Sequence, residues 1–431
     1  MRALEAQLPG IIWMRLGATL ETEPRYEVLS FDTPHVLSIP TGESLIWLDQ
    51  QLDALPADEP EWCGYAVALH YEAGALCDDA IAADNRMRVP VAQLVRLDAV
   101  YVLDCLSHTA CLQFSPDATE ERIANFSKQI QNLCVQPPQT VRRREASVDG
   151  DLQVCGEMSR GDYEATVSAL KSQILAGDFY EVNLTQHFQI SSHAHPDAVA
   201  LSLFADGAAR HARNLDLGKY SVISNSPEQF LRIHQGKIET CPIKGSSKRS
   251  AEPEADARSH SALARSVKDH AEHTMVVDMS RNDLGRICKP GSISVTSGFL
   301  IESHRDLHHL VSTVEGELRD RKLPISEILR ATFPAASITG APKIAAIRAI
   351  RDIERSPRGI YTGALGFVGR DRIDLNVAIR TITATHFNGS YVYEFGAGGA
   401  VVADSNSAEE YWECLTKARA LYNAIQTADH F

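Results

Sequence analysis

The sequence lacks the features that mark membrane, secreted and zinc-stabilised proteins. No stretch approaches the roughly 18 uninterrupted apolar residues of a membrane-spanning helix. The N-terminus has an acidic Glu5 between short apolar runs, unlike a secretory leader. The nine cysteines are odd in number and form no C-x-x-C pair and no Cys/His cluster at zinc spacing. We therefore expect a soluble protein of the reducing cytoplasm, without a membrane partner.

Concentrated positive charge is also missing. The chain carries a formal net charge of −14, with 42 basic and 56 acidic residues, and its basic residues are dispersed along the sequence. Proteins that grip phosphate backbones need a basic patch or stripe. Nucleic acid is therefore not an expected partner.

What the chain has is the composition of a folded globular protein. Its 431 residues are 44% hydrophobic and contain no low-complexity tract, and this length is too great for one small core. The strongest candidate boundary is the polar stretch around Pro137 to Gly156, which contains PPQTVRRREASVDGD. We predict an N-terminal scaffold or regulatory region over residues 1–140 and a catalytic domain over residues 155–431.

Hydrophobic periodicity predicts a mixture of strands and helices. In the N-terminal region we expect two amphipathic helices and four short strands, at Tyr26–Leu29, Tyr65–Leu69, Ala99–Leu103 and Cys111–Phe114. After the boundary, a helix through Tyr163 ends at Gly177. A strand begins at Glu181, with one face made of Val182, Leu184, Gln186, Phe188 and Ile190.

Further along, the spacing predicts one long helix from Leu263 to Gly285. The motif Ser407-Ala408-Glu409-Glu410 has the S-x-x-E form of a capping box and opens the last helix. Strand patterns occur between these helices, at Leu307–Val314, Gly363–Val368, Ile373–Thr383 and Tyr391–Phe395. Because strands and helices do not alternate strictly, antiparallel sheets covered by helices are favoured.

Three glutamates are candidate metal ligands. Glu410 and Glu413 lie three residues apart on one helix face, and a hard divalent cation needs such converging oxygens. A structural role is the alternative, since Glu410 could close the capping box and Glu413 could pair with Lys417. Glu272 interrupts an apolar helical surface, although a solvated face is the commoner explanation for a single glutamate.

Lys244 lies between the rigid Pro242 and the permissive Gly245, in a setting that equally suits an ordinary loop lysine. Chemical use of its amine would require a lowered pKa, which burial beside a cation could provide. His308 and His309 alternate across a predicted strand, so one of them faces inward. The glycine-rich segment 396–400 lacks a nucleotide-binding pattern and suggests close backbone approach or a bulge at a strand end.

Taken together, several segments resemble the chorismate-binding family. This family includes the synthase subunits for anthranilate and aminodeoxychorismate, the isochorismate synthases and the salicylate synthases. The matching blocks appear in family order over roughly half of the chain, at Tyr180–Gln186, Ser226–Glu228, Pro242–Gly245, Asp278–Arg286, His309–Val314, Phe333–Lys343 and Ala397–Ser405.

The resemblance implies an α+β fold of two antiparallel β-sheets packed as a sandwich with helices outside. The N- and C-terminal portions would form one intertwined body. It also implies that Glu272 and Glu413 hold Mg²⁺, with Glu410 nearby, and that the metal binds the ring carboxylate of chorismate.

The remaining site residues follow from the same resemblance. Glu228 would be the general acid that protonates the departing 4-hydroxyl. The enolpyruvyl carboxylate would be held by Arg380 and Tyr361, with backbone amides around Gly398. The ring site would be lined by Thr339 and by His309, which we include among the catalytic residues.

Two positions are expected to separate the branches of the family. Members that add water carry a lysine base where we place Gln186, which disfavours isochorismate and salicylate synthases. Anthranilate synthases usually have alanine where this chain has Lys244. In the aminodeoxychorismate branch that lysine resembles a nucleophile that attacks C2 of chorismate before ammonia attacks C4. The resemblance therefore implies 4-amino-4-deoxychorismate as product, for para-aminobenzoate and folate biosynthesis.

No glutaminase constellation is visible, so we expect a separate glutamine amidotransferase subunit to supply ammonia. Two alternatives stay open at this point: an anthranilate synthase component I, and a catalytically silent sensor of chorismate or an amino acid. The presence of both a candidate acid, Glu228, and a candidate nucleophile, Lys244, argues against the sensor.

Overall fold

A computed structural model gives the fold of most of the chain. It describes residues 8–17, 25–31, 35–84, 86–87, 89–135, 156–205, 207–304 and 307–429. Nearly all of the predicted boundary stretch lies outside these ranges. The division into residues 1–140 and 155–431 therefore stays a prediction.

The strands are numbered in chain order. They are β1 Ile12–Leu16, β2 Tyr26–Ser30, β3 Val36–Ser38, β4 Gly64–Leu69, β5 Ala92–Leu97, β6 Ala99–Asp104, β7 Thr109–Phe114, β8 Glu181–Ser192, β9 His211–Asp216, β10 Ser221–Ser226, β11 Gln229–His234, β12 Lys237–Cys241, β13 Ile243–Lys248, β14 Ser294–Ser303, β15 Leu307–Glu317, β16 Gly340–Ala341, β17 Ala364–Val368, β18 Arg372–Val377, β19 Thr381–Phe387 and β20 Ser390–Val401.

The described helices are numbered in the same way. They are α1 Ile46–Asp53, α2 Glu120–Val135, α3 Arg160–Ala176, α4 Pro196–Phe204, α5 Pro253–Arg265, α6 Val267–Gly285, α7 Ile325–Thr332, α8 Lys343–Ile353 and α9 Ser407–Ala428, with short 3₁₀ turns at Tyr71–Leu76 and Ala336–Ile338. None of these helices combines the length and the apolar character needed to span a bilayer.

The strands form two large sheets, which confirms the predicted α+β fold. The first has the order β16-β8-β20-β19-β10-β9-β1-β2-β6-β7, and the second has β13-β15-β12-β11-β18-β17-β4-β5-β3, with β14 also paired to β15. All pairings among the described strands are antiparallel. Strands from the first 114 residues complete both sheets, so the N- and C-terminal portions are intertwined.

Strand β1 shows how the sandwich is filled. Ile12, Met14 and Leu16 are buried in an apolar cluster that draws on strands of both sheets and therefore lies between them. Trp13 faces the other way and joins a second cluster, which includes the buried faces of the helices. The strand period of two thus gives this sheet two buried faces.

The structure corrects the single helix predicted from Leu263 to Gly285. Ser266 has an extended backbone, and its hydroxyl accepts a hydrogen bond from the amide of Asp269. A serine in this position caps the start of a new helix, so α5 ends before it and α6 begins after it. Glu272 therefore lies in the second turn of a separately capped helix.

The predicted strand Ile373–Thr383 is likewise two strands, β18 and β19. Arg380 between them has a φ of +50°, a left-handed conformation that a regular strand excludes. Strand β18 belongs to the second sheet and β19 to the first. The chain therefore crosses from one sheet to the other at Arg380.

A second crossover lies beside the first, because β10 belongs to the first sheet and β11 to the second. Glu228 lies in this connection. Three hydrogen bonds join the crossovers: Ser226 Oγ to the Val377 carbonyl (2.7 Å), the Val377 amide to the Glu228 carbonyl (3.1 Å), and the Asn225 amide to the Arg380 carbonyl (3.0 Å). These bonds bring Glu228 and Arg380 to the same end of the sandwich.

A buried ion pair also joins the sheets. Arg213 of β9 and Asp374 of β18 are fully buried, with Nη2 and Oδ1 2.7 Å apart. Arg213 also donates to Asn376, and Asp374 accepts from the amide of Gly17. Charges are tolerated in a protein interior only when they are paired and hydrogen-bonded in this way.

Replacing Arg213→Met should lower the free energy of unfolding by about 3–5 kcal/mol, because it leaves the Asp374 carboxylate buried without a partner. Urea denaturation followed by circular dichroism measures this loss. Arg281→Met is the matched control, since Arg281 pairs with Asp278 on the exposed surface and should cost little. Equal small losses in both variants would contradict a stabilising role for the buried pair.

Candidate active site

Lys244 is carried on a bulge in β13. Strand β13 pairs with β15 on both sides of Lys244, but the register shifts between Ile243 and Ser246. Gly245 supplies a φ of +89°, a left-handed conformation that suits glycine at such a bulge. The side chain of Lys244 is thereby buried, with 9% of its area exposed.

An ion pair with Glu181 fixes the Lys244 amine. Glu181 is the first residue of β8 and is 1% exposed, and its Oε1 lies 2.6 Å from Lys244 Nζ. Burial alone would lower the pKa of Lys244, but the charge and hydrogen bond of Glu181 outweigh burial and raise it. The described structure thus places a carboxylate beside the amine, not the cation that could have lowered its pKa.

Glu228 stays partly protonated near neutral pH. Its side chain is 3% exposed, and burial raises its pKa to about 7. The Ser337 hydroxyl, which donates to Oε1 at 2.5 Å, the Ile243 amide and the charge of Lys244 oppose this rise only in part. A carboxylic acid with a pKa near the working pH can donate a proton efficiently.

His309 of β15 orients Arg380. Its Nε2 lies 3.2 Å from Arg380 Nη2, and its Nδ1 lies 2.7 Å from Ser246 Oγ. Burial and the charge of Arg380 lower the pKa of His309 well below its usual range. Since a guanidinium only donates, the neutral ring accepts at Nε2 and donates from Nδ1. The ring proton of His309 is thus engaged with Ser246 while Nε2 faces Arg380, which favours a positioning role.

The three candidate metal ligands, Glu272, Glu410 and Glu413, all interact electrostatically with Lys268. Burial raises the pKa of Glu272 and Glu410, while Lys417 lowers the pKa of Glu413. Lys268 lowers all three pKa values to a smaller degree, and its Nζ is 3.8 Å from Glu272 Oε1. Helices α6 and α9 therefore present their carboxylates to a common region.

The donor set fits a hard cation such as Mg²⁺. It consists of carboxylate oxygens, without sulfur or imidazole. Across the described ranges, no three His, Cys, Asp or Glu side chains are close enough to form a metal cage. Mg²⁺ usually takes one or two protein carboxylates and completes its octahedron with water and substrate oxygens. A Cβ on Gly399 would lie 3.1 Å from Glu410 Oε2, so this glycine keeps the space beside that carboxylate open.

The last helix is capped differently from the prediction. Asn406, not Ser407, accepts the hydrogen bonds from the first amides of α9. Glu410 Oε1 instead accepts from Ser405 Oγ at 2.7 Å, so it does not close a capping box. Glu413 does pair with Lys417 at 2.7 Å, as the structural alternative proposed.

The glycine-rich segment lies in the C-terminal half of β20 and pairs in register with β8, so of the two alternatives the bulge was wrong. A Cβ on Gly398 would lie 2.1 Å from the Leu184 carbonyl oxygen, and one on Gly396 would overlap the ring of Tyr361. The Gly398 carbonyl accepts a hydrogen bond from Lys417 Nζ at 2.9 Å. These glycines thus admit neighbouring protein groups at close range.

Thr339 and Tyr361 are both buried near this region. The Thr339 hydroxyl lies 3.1 Å from the carbonyls of both Ala335 and Ala336. Burial raises the pKa of Tyr361, so its hydroxyl stays protonated and can donate. Their predicted contacts with substrate stay predictions.

Gln186 does not belong to the cluster. Its amide oxygen accepts from the Met158 amide at 3.2 Å, and its nitrogen donates to Cys414 Sγ at 3.5 Å. Residues 181 and 186 lie an odd number apart on β8 and so face opposite sides. Glu181 is the residue of β8 that meets Lys244, and the predicted role of Gln186 in binding substrate and separating the branches stays a prediction.

Sequence reasoning missed several further members of the site. Ser337 bonds the candidate acid, and Ser246 bonds His309. Glu181 lies within a matching block, but the apolar alternation of this strand marks the face that begins at Val182, and Glu181 lies on the opposite face. A glutamate at the start of this strand, next to its apolar face, was the one sequence signal that could have indicated a site residue here.

A buried ion pair between Arg358 and Glu354 anchors the first residues of β8. Arg358 donates to Glu354 and to the carbonyls of Asn183 and Ile338, at 2.8–2.9 Å. Glu354 Oε1 in turn accepts from the amide and the hydroxyl of Thr185. The start of β8, which carries Glu181, is thus anchored by charge-assisted hydrogen bonds.

Comparison with known proteins identifies the class. The chorismate binding enzyme family matches residues 19–423. The chain therefore belongs to this family.

Individual relatives carry two activities in their names. The chain is 35% identical over 396 residues to an aminodeoxychorismate synthase of Streptomyces griseus, covering 89% of this chain and 54% of that protein. It is 37% identical over 272 residues to an anthranilate synthase component 1 of Aquifex aeolicus, covering 63% of this chain and 54% of that protein. The chain thus spans about half the length of these curated relatives.

The fold has solved counterparts. A crystal structure of anthranilate synthase component I from Streptococcus pneumoniae superposes with a TM-score of 0.77 at 25% identity, covering 97% of this chain and 96% of the other. This likeness confirms the sandwich architecture expected from the sequence.

The pKa of Glu228 predicts a pH-dependent stability. The folded chain holds this proton more tightly than the unfolded chain, whose glutamate has the usual pKa of 4.5. Its contribution therefore falls as the pH rises from about 4.5 to about 7, by about 3 kcal/mol in total. Urea unfolding of wild type and Glu228→Gln across this range should show the wild type losing stability relative to the variant.

Glu121→Gln is the control, because Glu121 is exposed on α2. Its unfolding free energies should run parallel to those of the wild type. Parallel curves for Glu228→Gln as well would contradict a buried, protonated Glu228.

Proposed function

We propose that the chain converts chorismate and ammonia to 4-amino-4-deoxychorismate. The observation that carries this proposal is the buried amine of Lys244 beside two carboxyl groups with different tasks. Glu181 is in direct contact with the amine, and Glu228 is held as an acid by burial. A buried nucleophile with a separate acid suits a covalent substitution.

The reaction divides into two substitutions. Lys244 Nζ attacks C2 of the ring, the double bonds shift, and the 4-hydroxyl leaves as water with a proton from Glu228. Ammonia then attacks C4, the double bonds shift back, and the bond between C2 and Nζ breaks. The new ammonium group returns a proton to Glu228. Two easier substitutions thus take the place of one difficult allylic exchange.

Residues around this pair are proposed to hold the substrate. Arg380, which His309 contacts, is proposed to bind the enolpyruvyl carboxylate, because a guanidinium binds a carboxylate with two parallel hydrogen bonds. Tyr361, Thr339 and Gly398 complete the proposed pocket. The anchored crossovers fix these groups before substrate arrives, which reduces the cost of orientation.

Glu272 and Glu413, with Glu410 beside them, are proposed to hold Mg²⁺. The bound ion would orient the ring carboxylate of chorismate and offset its negative charge. Because Lys268 and Lys417 contact two of these carboxylates, the metal would have to compete with their charges. A partner glutamine amidotransferase subunit is proposed to supply ammonia, in line with the component 1 in the names of similar proteins.

The product assay tests the proposed reaction. Purified protein is incubated with chorismate, Mg²⁺ and ammonium, and half of the reaction receives an aminodeoxychorismate lyase before chromatography. We expect para-aminobenzoate that depends on the lyase, and its loss by a factor of at least about 100 in Lys244→Ala. Lys248→Ala, at the exposed end of the same strand, should keep wild-type turnover.

Two other outcomes of this assay would contradict the proposed reaction. Anthranilate formed without the lyase would replace this proposal by the activity that the Aquifex relative is named for. No ammonium-dependent product would favour a sensor.

Removal of the metal should abolish turnover. We expect EDTA to stop product formation and excess Mg²⁺ to restore it. Glu272→Gln should raise the Mg²⁺ concentration for half-maximal rate by about 10-fold or more, because it removes one charged ligand. Glu409→Gln changes an exposed glutamate next to Glu410 and should leave that concentration unchanged. Full activity in EDTA would exclude the proposed metal site.

A further inference from the structure

Glu181 has a feature that a purely structural ion pair does not need. Its Oε1 contacts Lys244, whereas its Oε2 is buried and has no hydrogen-bond partner within the described residues. An unsatisfied buried acceptor costs about 1–3 kcal/mol, and more when it is charged. A structure built only for stability would place a donor there.

The proposed nucleophile, Lys244, also needs a group that accepts a proton from its ammonium. With Glu181 ionised, Lys244 carries an ammonium group, which has no lone pair for attack. Glu228 cannot accept this proton, because it must itself be protonated to release the 4-hydroxyl as water. Glu272 is a proposed metal ligand, and the ion pairs of the described chain bring only Glu181 within 4.0 Å of Lys244.

The local structure holds this contact firmly. Glu181 opens β8, where β16 pairs Ala341 opposite it. The Arg358–Glu354 pair anchors the following residues of the strand. Lys244 stands on the bulge of β13, in the other sheet. The two side chains therefore meet from opposite sheets. If either side chain moved away, the other would be left as a buried charge without a partner.

We propose that Glu181 is the base and counter-charge of Lys244 in the reaction proposed above. Glu181 Oε1 takes one proton from the Lys244 ammonium, and the neutral Nζ forms its bond to C2. Nζ becomes a positive secondary ammonium in the adduct, while Glu181 keeps the proton that it took; Glu181 is the counter-charge of Lys244 before this transfer and after the proton returns. When the bond between C2 and Nζ breaks, the amine leaves neutral and regains its proton from Glu181. No proton is gained or lost over the cycle by this pair.

Two readouts separate this role from a structural one. The first is turnover with chorismate, Mg²⁺ and ammonium. The second is the pH dependence of Lys244 acetylation by trace acetic anhydride, read by mass spectrometry without substrate. Glu181→Gln keeps the shape of the side chain but removes its charge, and Glu181→Asp keeps the charge on a shorter side chain.

We expect Glu181→Gln to lose turnover by about 100-fold or more, the range of one acid–base group. The same variant should acetylate Lys244 at a pH at least about one unit lower than the wild type, because the charge that holds the ammonium is gone. Because unfolding would also expose Lys244, the variant must keep the wild-type midpoint of urea unfolding for this result to report on Glu181. Glu181→Asp should recover part of the turnover and keep the acetylation midpoint close to that of the wild type.

Glu394→Gln is the matched control, since Glu394 is exposed on β20, and it should match the wild type in both readouts. Turnover of Glu181→Gln within about threefold of wild type would overturn the proposal, and so would an unchanged acetylation midpoint. The wild-type product is identified separately. A failure of the proposed function would therefore appear there and would leave the acetylation result interpretable.

Discussion

The site depends on two places where the chain passes from one sheet to the other. The crossover at Glu228 and the crossover at Arg380 are bonded to each other through Ser226, Val377 and Asn225. Backbone groups in such a connection cannot join either sheet, and their mutual bonds satisfy them. Glu228, the candidate acid, and Arg380, the proposed partner of a substrate carboxylate, consequently stand on mutually bonded backbone where the chain crosses between the sheets.

Charge is the second constraint. Lys244, Glu181 and Glu228 are all almost fully buried, which would be unfavourable for each of them alone. Pairing resolves the conflict for Lys244 and Glu181, and protonation resolves it for Glu228. The same environment thus separates one carboxyl group as an ionised partner from another as a neutral acid. Such a separation of two carboxyl groups by their surroundings is the usual basis for dividing acid and base roles.

Local signals in the sequence were sufficient for many elements. Apolar alternation located β8, and Gly177 ended the preceding helix in the left-handed conformation expected of it. The signals failed where one residue overrides the periodicity. Ser266 divides a continuous helical pattern by capping a new helix, and Arg380 divides a continuous strand pattern by turning the backbone. Periodicity reports the buried face of an element but not a break between two elements with similar faces.

The sequence by itself determined the family and the sandwich fold, because ordered motifs and mixed periodicity survive without coordinates. It also named Lys244, Glu228 and the three glutamates of α6 and α9. Only the tertiary structure decided which side chains meet. Gln186 and Glu181 lie five residues apart on one strand, and the pleat sends them to opposite faces. The partner of Lys244 comes from the other sheet, 63 residues away, a distance over which local sequence patterns carry no information about contact.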